Sequence, residues 1–495
     1  MRNSRRTATV ALVSAGLVAS GMSMAVAAPS DRANPNATDG RSMQRSEKLR
    51  QAVTVDSVVG HLESFQQIAE ANDGNRAAGT SGYEASAQYI EAQLRAAGYK
   101  PTRQYFDFVF EQVRSSSLQV LSPENRTVAQ NPMSYSPGTP AAGITAELVT
   151  PVNANGCDAA DWAGVDATGK IALVSRGVCP FSQKSQAAGA AGAAAVIVYN
   201  NTAGALNGTL GGIDARNVPS TGITQAEGQA LVALTNAGPV RMQFVLDKTV
   251  ENRQTFNIFA ETSFGSSNEV IMAGAHLDSV LSGPGINDNG SGSAAILEVA
   301  RQINQQRNIQ GKPANKVRFA WWGAEELGLL GARHYVNDLK ANNPGELDRI
   351  ATYLNFDMVG SPNHIIGVYD ADESTYQAPV DVPAGSIGTE RVFTDYFDAI
   401  GQPWVDTEFS GRSDYQPFIE NGVAAGGLFT GADGRKTARE VELFGGTEGI
   451  LYDPNYHTPA DNLSNINRDA LQINSKAIAH AVLTLAESTR PLAQG

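Results

Sequence analysis

Cysteine is almost missing from this chain of 495 residues. Cys157 and Cys179 are the only two, so no disulfide framework holds the fold and stability must come from buried apolar surface. Positive charge is short as well. The 37 Lys and Arg are outnumbered by 50 Asp and Glu, and a net charge of -13 repels a phosphate backbone, which excludes nucleic acid as an expected partner. Beyond Ala28 there is no apolar run long enough to span a bilayer. Internal repeats and low-complexity tracts are missing too. What the chain has is a hydrophobic fraction of 42%, enough at this length for more than one core.

The apolar run over 8–26 follows Arg2, Arg5 and Arg6 and ends in Ala25-Val26-Ala27, the layout of a signal peptide over 1–27. Its Ser and Gly interruptions and the polar stretch behind it argue against a membrane anchor. Whether export uses the general or the twin-arginine route stays open. A secreted, extracellular protein without membrane contact after cleavage is expected, and in an oxidising compartment Cys157 and Cys179 are expected to pair. Residues 28–52, rich in Asn, Arg, Ser and Asp, suit a disordered leader or propeptide.

From 53 to 130 two helices are predicted, with Val58, Leu62, Phe65 and Ile68 on one and Tyr89, Ile90 and Leu94 on the next. Phe106, Phe108 and Phe110 then alternate as in a strand. Over 131–248 the composition shifts to Ala, Gly and Val, with short strands at 171–174 and 195–199 around a small-residue helix: an α/β module inserted into the main domain. The main domain resumes over 249–490, where strands at 270–275, 317–322 and 351–357 alternate with helices at 292–302 and 328–339. Apolar strands alternating with helices predict an α/β fold, a mixed and mostly parallel sheet flanked by helices, with ligands at the C-terminal strand ends.

The chemistry gathers at those ends. His276 and Asp278, two apart after the 270–275 strand, project to one side. Asp288 sits in the glycine-rich stretch Gly283 to Gly292, where the backbone can pass close to something compact. Glu325 and Glu326 follow the next strand and point in different directions, so they can take different roles. Asp357 ends the third strand, and His457 lies in the loop Tyr456-His457-Thr458-Pro459-Ala460-Asp461. Any one of these carboxylates is by itself more often a helix cap or a loop residue. Together they form a nitrogen and oxygen donor set that suits zinc.

In the order His-x-Asp, Asn-Asp-Asn-Gly-Ser-Gly, Glu-Glu, Asp and Tyr-His, the chain resembles the secreted zinc aminopeptidases of clan MH, which include bacterial leucine aminopeptidases and the aminopeptidase Y type. The module with Val174-Ser175-Arg176-Gly177-Val178-Cys179-Pro180-Phe181 resembles a protease-associated (PA) domain. The resemblance implies two Zn2+ per chain bridged by Asp288, one held by His276 and Asp357 and the other by Glu326 and His457. It implies Glu325 as general base, Asp278 as the carboxylate that orients His276, and Tyr456 as a group that steadies the tetrahedral intermediate. Arg412 and Phe429 are implied substrate contacts, Phe429 as a pocket wall for a large apolar, Leu-like residue. Two ions sharing a water would lower its pKa and polarise the scissile carbonyl, leaving the proton to Glu325.

Peptide or protein N-termini are the expected partners of a monomeric chain. His61, His334 and His480 fall in helical stretches and His364 at the start of a strand; none is expected at the metals. A carboxypeptidase or a glutaminyl cyclase on the same fold, and an inactive PA-domain binding protein, are the competing readings.

Overall fold

The computed structural model describes residues 40–310 and 313–488. The expected signal peptide and the first part of the leader lie outside the described residues. The end of that leader is not structureless: it forms helix α1 (Gly40–Ala52), with Ser46 and Leu49 buried. The correction has a simple cause. Average polarity over 28–52 hides a narrow inward stripe, which is all that a helix docked on one side needs.

Two amphipathic helices follow, α2 (Val55–Glu70) and α3 (Ser81–Ala96), started by Thr54 and Thr80, whose hydroxyls accept backbone N–H groups of the first turn. Strand β1 (Thr102–Ser122) then leaves the main body and enters the inserted module. There β2 (Ile144–Val149), β3 (Ile171–Ser175), β4 (Ala195–Tyr199) and β5 (Ser220–Ile223) are accompanied by α4 (Phe181–Ala190) and α5 (Gln225–Ala237). The chain returns on β6 (Arg241–Glu261), antiparallel to β1 from Thr102 opposite Phe259 to Ser122 opposite Arg241. The module's core takes in Leu118, Val120 and Val128, so its packing starts upstream of the boundary expected at 131. The disulfide between Cys157 and Cys179 forms within the module.

The main sheet is completed by β7 (Ser266–His276), β8 (Asn315–Trp322), β9 (Ile350–Phe356), β10 (Gly367–Tyr369), β11 (Val405–Thr407) and β12 (Ala425–Phe429), in the order β11-β10-β12-β9-β7-β8-β6. Both β8 and β9 run parallel to β7, and β12 runs parallel to β9; the antiparallel contacts are β6 with β8 and β10 with β12. The sheet is therefore mixed and mostly parallel.

Residue alternation along β7 divides the core. Ile271, Ala273 and Ala275 face the helices α6 (Gly292–Gln310), α8 (Gly385–Ile400) and α10 (Arg468–Glu487), whereas Met272 packs with Tyr335 and Val336 of α7 (Leu330–Asn342). Burial on both faces explains why these strands read as continuous apolar runs. His364 corrects one expectation: it lies in the irregular segment before β10, not at a strand start.

Candidate metal centre and catalytic cleft

The C-terminal ends of three neighbouring parallel strands deliver His276 from β7, Glu325 and Glu326 from β8, and Asp357 from β9 to one edge of the sheet. Asp288 comes from the loop that leads into α6, and His457 from the long loop between the short helix α9 (Ala438–Phe444) and α10. All the predicted metal ligands are thereby brought together. Asp288 stands in the middle, with Oδ1 3.3 Å from His276 Nε2 and Oδ2 3.1 Å from His457 Nε2. Asp357 Oδ1 lies 3.3 Å from His276 Nε2, and Glu326 Oε2 lies 3.0 Å from His457 Nε2. Two triplets result, His276 with Asp288 and Asp357, and His457 with Asp288 and Glu326, each with its donor atoms within 4.8 Å of one another. Glu325 belongs to neither.

The residues fit a zinc pair on three observations. His276 Nε2, Glu326 Oε1 and Asp357 Oδ1 are buried without a hydrogen-bond partner, an expensive state for polar atoms unless something else coordinates them. The ring orientation is right. Nδ1 of His276 lies 3.0 Å from the backbone carbonyl of Asp278, which can only accept, so Nδ1 carries a proton and Nε2 is the nitrogen that faces the acids and would take a metal. The third observation is charge. Burial, and then the neighbouring acids, push Glu325 well above the ordinary carboxylate range, and burial followed by Asp288 pushes Glu326 up to about 8. Burial opposes a charge on His276, yet Asp357 and Glu325 hold its pKa well above the usual imidazole value. So many buried carboxylates around two imidazoles call for cations.

Asp278 touches both the histidine and the glutamates. Its Oδ1 is 3.7 Å from His276 Nδ1, beside its own backbone carbonyl at 3.0 Å. Its oxygens also accept the backbone N–H groups of Glu325 and Glu326, at 3.2 and 3.4 Å. One residue thus braces the His276 ring and the Glu-Glu pair together.

Sequence reasoning missed the other supports. Arg76, fully buried, donates to the carbonyl of Leu277, between His276 and Asp278, and to those of Pro284 and Gly285 in the loop before Asp288. Asn289 Oδ1 accepts the N–H of Met358 and Asn287 Oδ1 that of Gly360, so both asparagines of the Asn-Asp-Asn run brace the turn after Asp357. Ser413 donates its hydroxyl to Asp357 Oδ2 at 2.6 Å. Asp414, also buried, has both carboxylate oxygens without a partner near the centre. A lone buried arginine in a loop leaves no periodic signal; the Asn-Asp-Asn run was visible, but its bonding was not. Three non-glycine residues hold a left-handed backbone here, Ala324 (φ 58°), Met358 (φ 53°) and His457 (φ 59°), each at or beside a site residue.

The centre opens into a cleft of about 350 Å³ lined by Asp288, Glu325, Glu326 and Asp357 at one end and by Met358, Ile365, Tyr369 and Phe429 farther along. Tyr456 lines it too, its ring stacked on that of His457 with centroids 3.8 Å apart. Arg412 reaches the cleft and is paired with Asp433 at 2.9 Å. The remaining histidines stay away: His61 bonds Tyr89 and Glu298, His334 stacks on Phe106, and His480 lies against Ser46 and Tyr396.

A parallel sheet edge and its neighbouring loop that gather two imidazoles about one central carboxylate, with a further carboxylate outside both triplets lining the cleft, are the donor chemistry of a metal-dependent hydrolase. The description of peptidase family M28 matches residues 257–482, and that of the PA domain residues 144–231. Leucine aminopeptidase 2 of Trichophyton rubrum is 44% identical over 453 residues, covering 91% of this chain and 88% of that protein. An aminopeptidase of Pseudomonas aeruginosa is 43% identical over 458 residues, covering 89% and 83%. Among solved structures, the zinc aminopeptidase BSAP from Bacillus subtilis matches with a TM-score of 0.57 at 29% identity, over 87% of this chain and 94% of that one. The aminopeptidase from Aneurinibacillus sp. strain AM-1 gives a TM-score of 0.61 at 28% identity, over 88% and 95%. The chain belongs to peptidase family M28 and is a zinc-dependent aminopeptidase with an inserted PA domain.

Proposed function

We propose that this protein is secreted and removes large apolar residues from peptide N-termini with two zinc ions and a glutamate base. His276 and Asp357 would hold one ion, Glu326 and His457 the other, and Asp288 would bridge them. The observation that carries the reading is the split of Asp288, one oxygen toward each histidine. Zinc in such a pair supplies Lewis acidity and lowers the pKa of water toward about 7.

Glu325 takes the proton from the attacking water and hands it to the leaving amine. Its Oε2 is 3.9 Å from His276 Nε2, it stands outside both donor triplets, and it lines the cleft, which supports a base rather than a ligand. Tyr456, which lines the same cleft beside His457, is suited to donate to the developing oxyanion. Met358, Ile365 and Phe429 supply apolar surface for the side chain of the residue removed, and the leucine aminopeptidase among the relatives supports that preference. Arg412 lies at the rim, where it can meet the substrate.

The deciding experiment is Glu325→Gln, assayed against free and N-blocked leucyl substrates beside a zinc determination. Two zinc ions should remain while turnover falls by roughly 100-fold to 10,000-fold, the range of general acid-base groups. Near-parental hydrolysis, or loss of an ion from this variant but not from Glu326→Gln, would overturn the assignment. Cleavage of N-blocked substrates would point to a carboxypeptidase.

A further inference from the structure

The loop that presents His457 also reaches the bridging ligand from behind. Asp461, four residues on and 1% exposed, accepts the backbone N–H of Asn287 on Oδ1 at 2.9 Å and that of Asp288 on Oδ2 at 3.0 Å. Its own carbonyl accepts the N–H of Ile286 at 3.1 Å. Three consecutive amide groups of the loop that carries Asp288 therefore end on one residue. Asn465 holds Asp461 in turn, donating to its Oδ1 at 3.0 Å and to both oxygens of Asp453. Asp453 binds the side chain of Asn287 but no amide of Asp288.

A carboxylate is a costly group to bury beside Asp288, whose own oxygens face the two histidines. For mere loop closure a serine or an asparagine would satisfy one N–H at far lower cost. Only a carboxylate offers two acceptor oxygens to two successive amides at once, and those amides set the direction in which the Asp288 side chain leaves the backbone. We infer that Asp461 is a positioning residue for Asp288, and that the loop over 453–461 places the bridging carboxylate and His457 as one unit. Because Asp288 serves both ions, a fault at Asp461 weakens both, unlike a fault at Glu326. The inference rests on the two-ion reading given above.

The test is Asp461→Asn in the full chain, with zinc affinities measured by competition against a chelator and the melting temperature of the metal-free protein followed separately. Asparagine keeps one acceptor and turns an N–H toward the amide of Asn287 or Asp288, so both ions should bind more weakly, by about 10-fold to 100-fold. Saturating zinc should restore kcat with KM unchanged. Glu326→Gln, in contrast, should weaken one ion only. If Asp461→Asn does not fold, Asn465→Ala, which frees Asp461, should weaken both ions to a smaller degree. The inference is overturned if Asp461→Asn or Asn465→Ala holds both ions as the parent does, or if only one ion is affected. A parental protein that binds a single ion would overturn the two-ion reading itself, whatever the variants do.

Discussion

Arg76 has no place in the ligand pattern, yet it is a fully buried cation beside the acidic centre. Burial lowers its pKa to about 10, against the pull of Asp278, Asp461 and Asp288, and it stays charged at neutral pH. Its guanidinium spans three carbonyls at once, which a lysine ammonium on a flexible stem cannot reproduce. Arg76→Lys should therefore destabilise the protein, and Arg76→Leu should cost roughly 3 kcal/mol or more because three buried carbonyls lose their donors. Urea unfolding of the two variants beside the parent measures this; equal midpoints would mean that the loop finds other donors. At the same scale, Asp288→Ala should lose most of the bound zinc, since Asp288 pairs with both histidines, one oxygen to each, and full occupancy in that variant would remove Asp288 from the site.

Helix α1 is held to the last helix by a polar contact. Ser46 Oγ is 2.8 Å from His480 Nδ1, the His480 ring stacks on Tyr396, and Arg50 stands over the same tyrosine. Burial, and then the Arg50 charge, press the His480 pKa down to about 3. In the unfolded chain it returns to an ordinary value near 6.5, so between roughly pH 6.5 and 3 the unfolded state binds the proton and the folded state does not. Stability from this group is whole above that window and is lost as pH falls through it, with a slope of at most about 1.4 kcal/mol per pH unit. His480→Gln should lose less stability than the parent between pH 7.5 and 5 in denaturant titrations. An identical pH dependence in the two proteins would show that His480 protonates without penalty.

The molecule is two packed bodies joined by the β1–β6 ribbon. No apolar cluster among the described residues is shared between the inserted module and the main sheet. The Cys157–Cys179 bond closes 22 residues of the module only, and its chain-entropy contribution is on the order of 3 kcal/mol. Cys157→Ser with Cys179→Ser should lower the melting transition of the module while zinc content and leucyl hydrolysis at moderate temperature stay at the parental level. Loss of zinc in that double variant would mean that the module and the metal centre fold as one unit, against the separation of their cores.

Three positions of the candidate donor set, His276, Glu326 and Asp357, were legible in the sequence because apolar strands end abruptly in His, Asp or Glu, whereas Asp288 and His457 lie in loops and their roles were only what the family resemblance implies. The alternation of strands and helices settled the sheet class for the same reason, each strand carrying its own signature. The disulfide was expected because the sequence has two cysteines and the layout of an exported chain. Tertiary structure alone decided the rest. Asp278 turns to the amides of Glu325 and Glu326, Arg76 and Asp461 clamp loops from more than 170 residues away, and α1 docks where composition gave disorder. Hydrogen bonds of buried loops join groups remote in the chain, and their partners are fixed by the packing of the whole sheet edge, so no local pattern of residues records them.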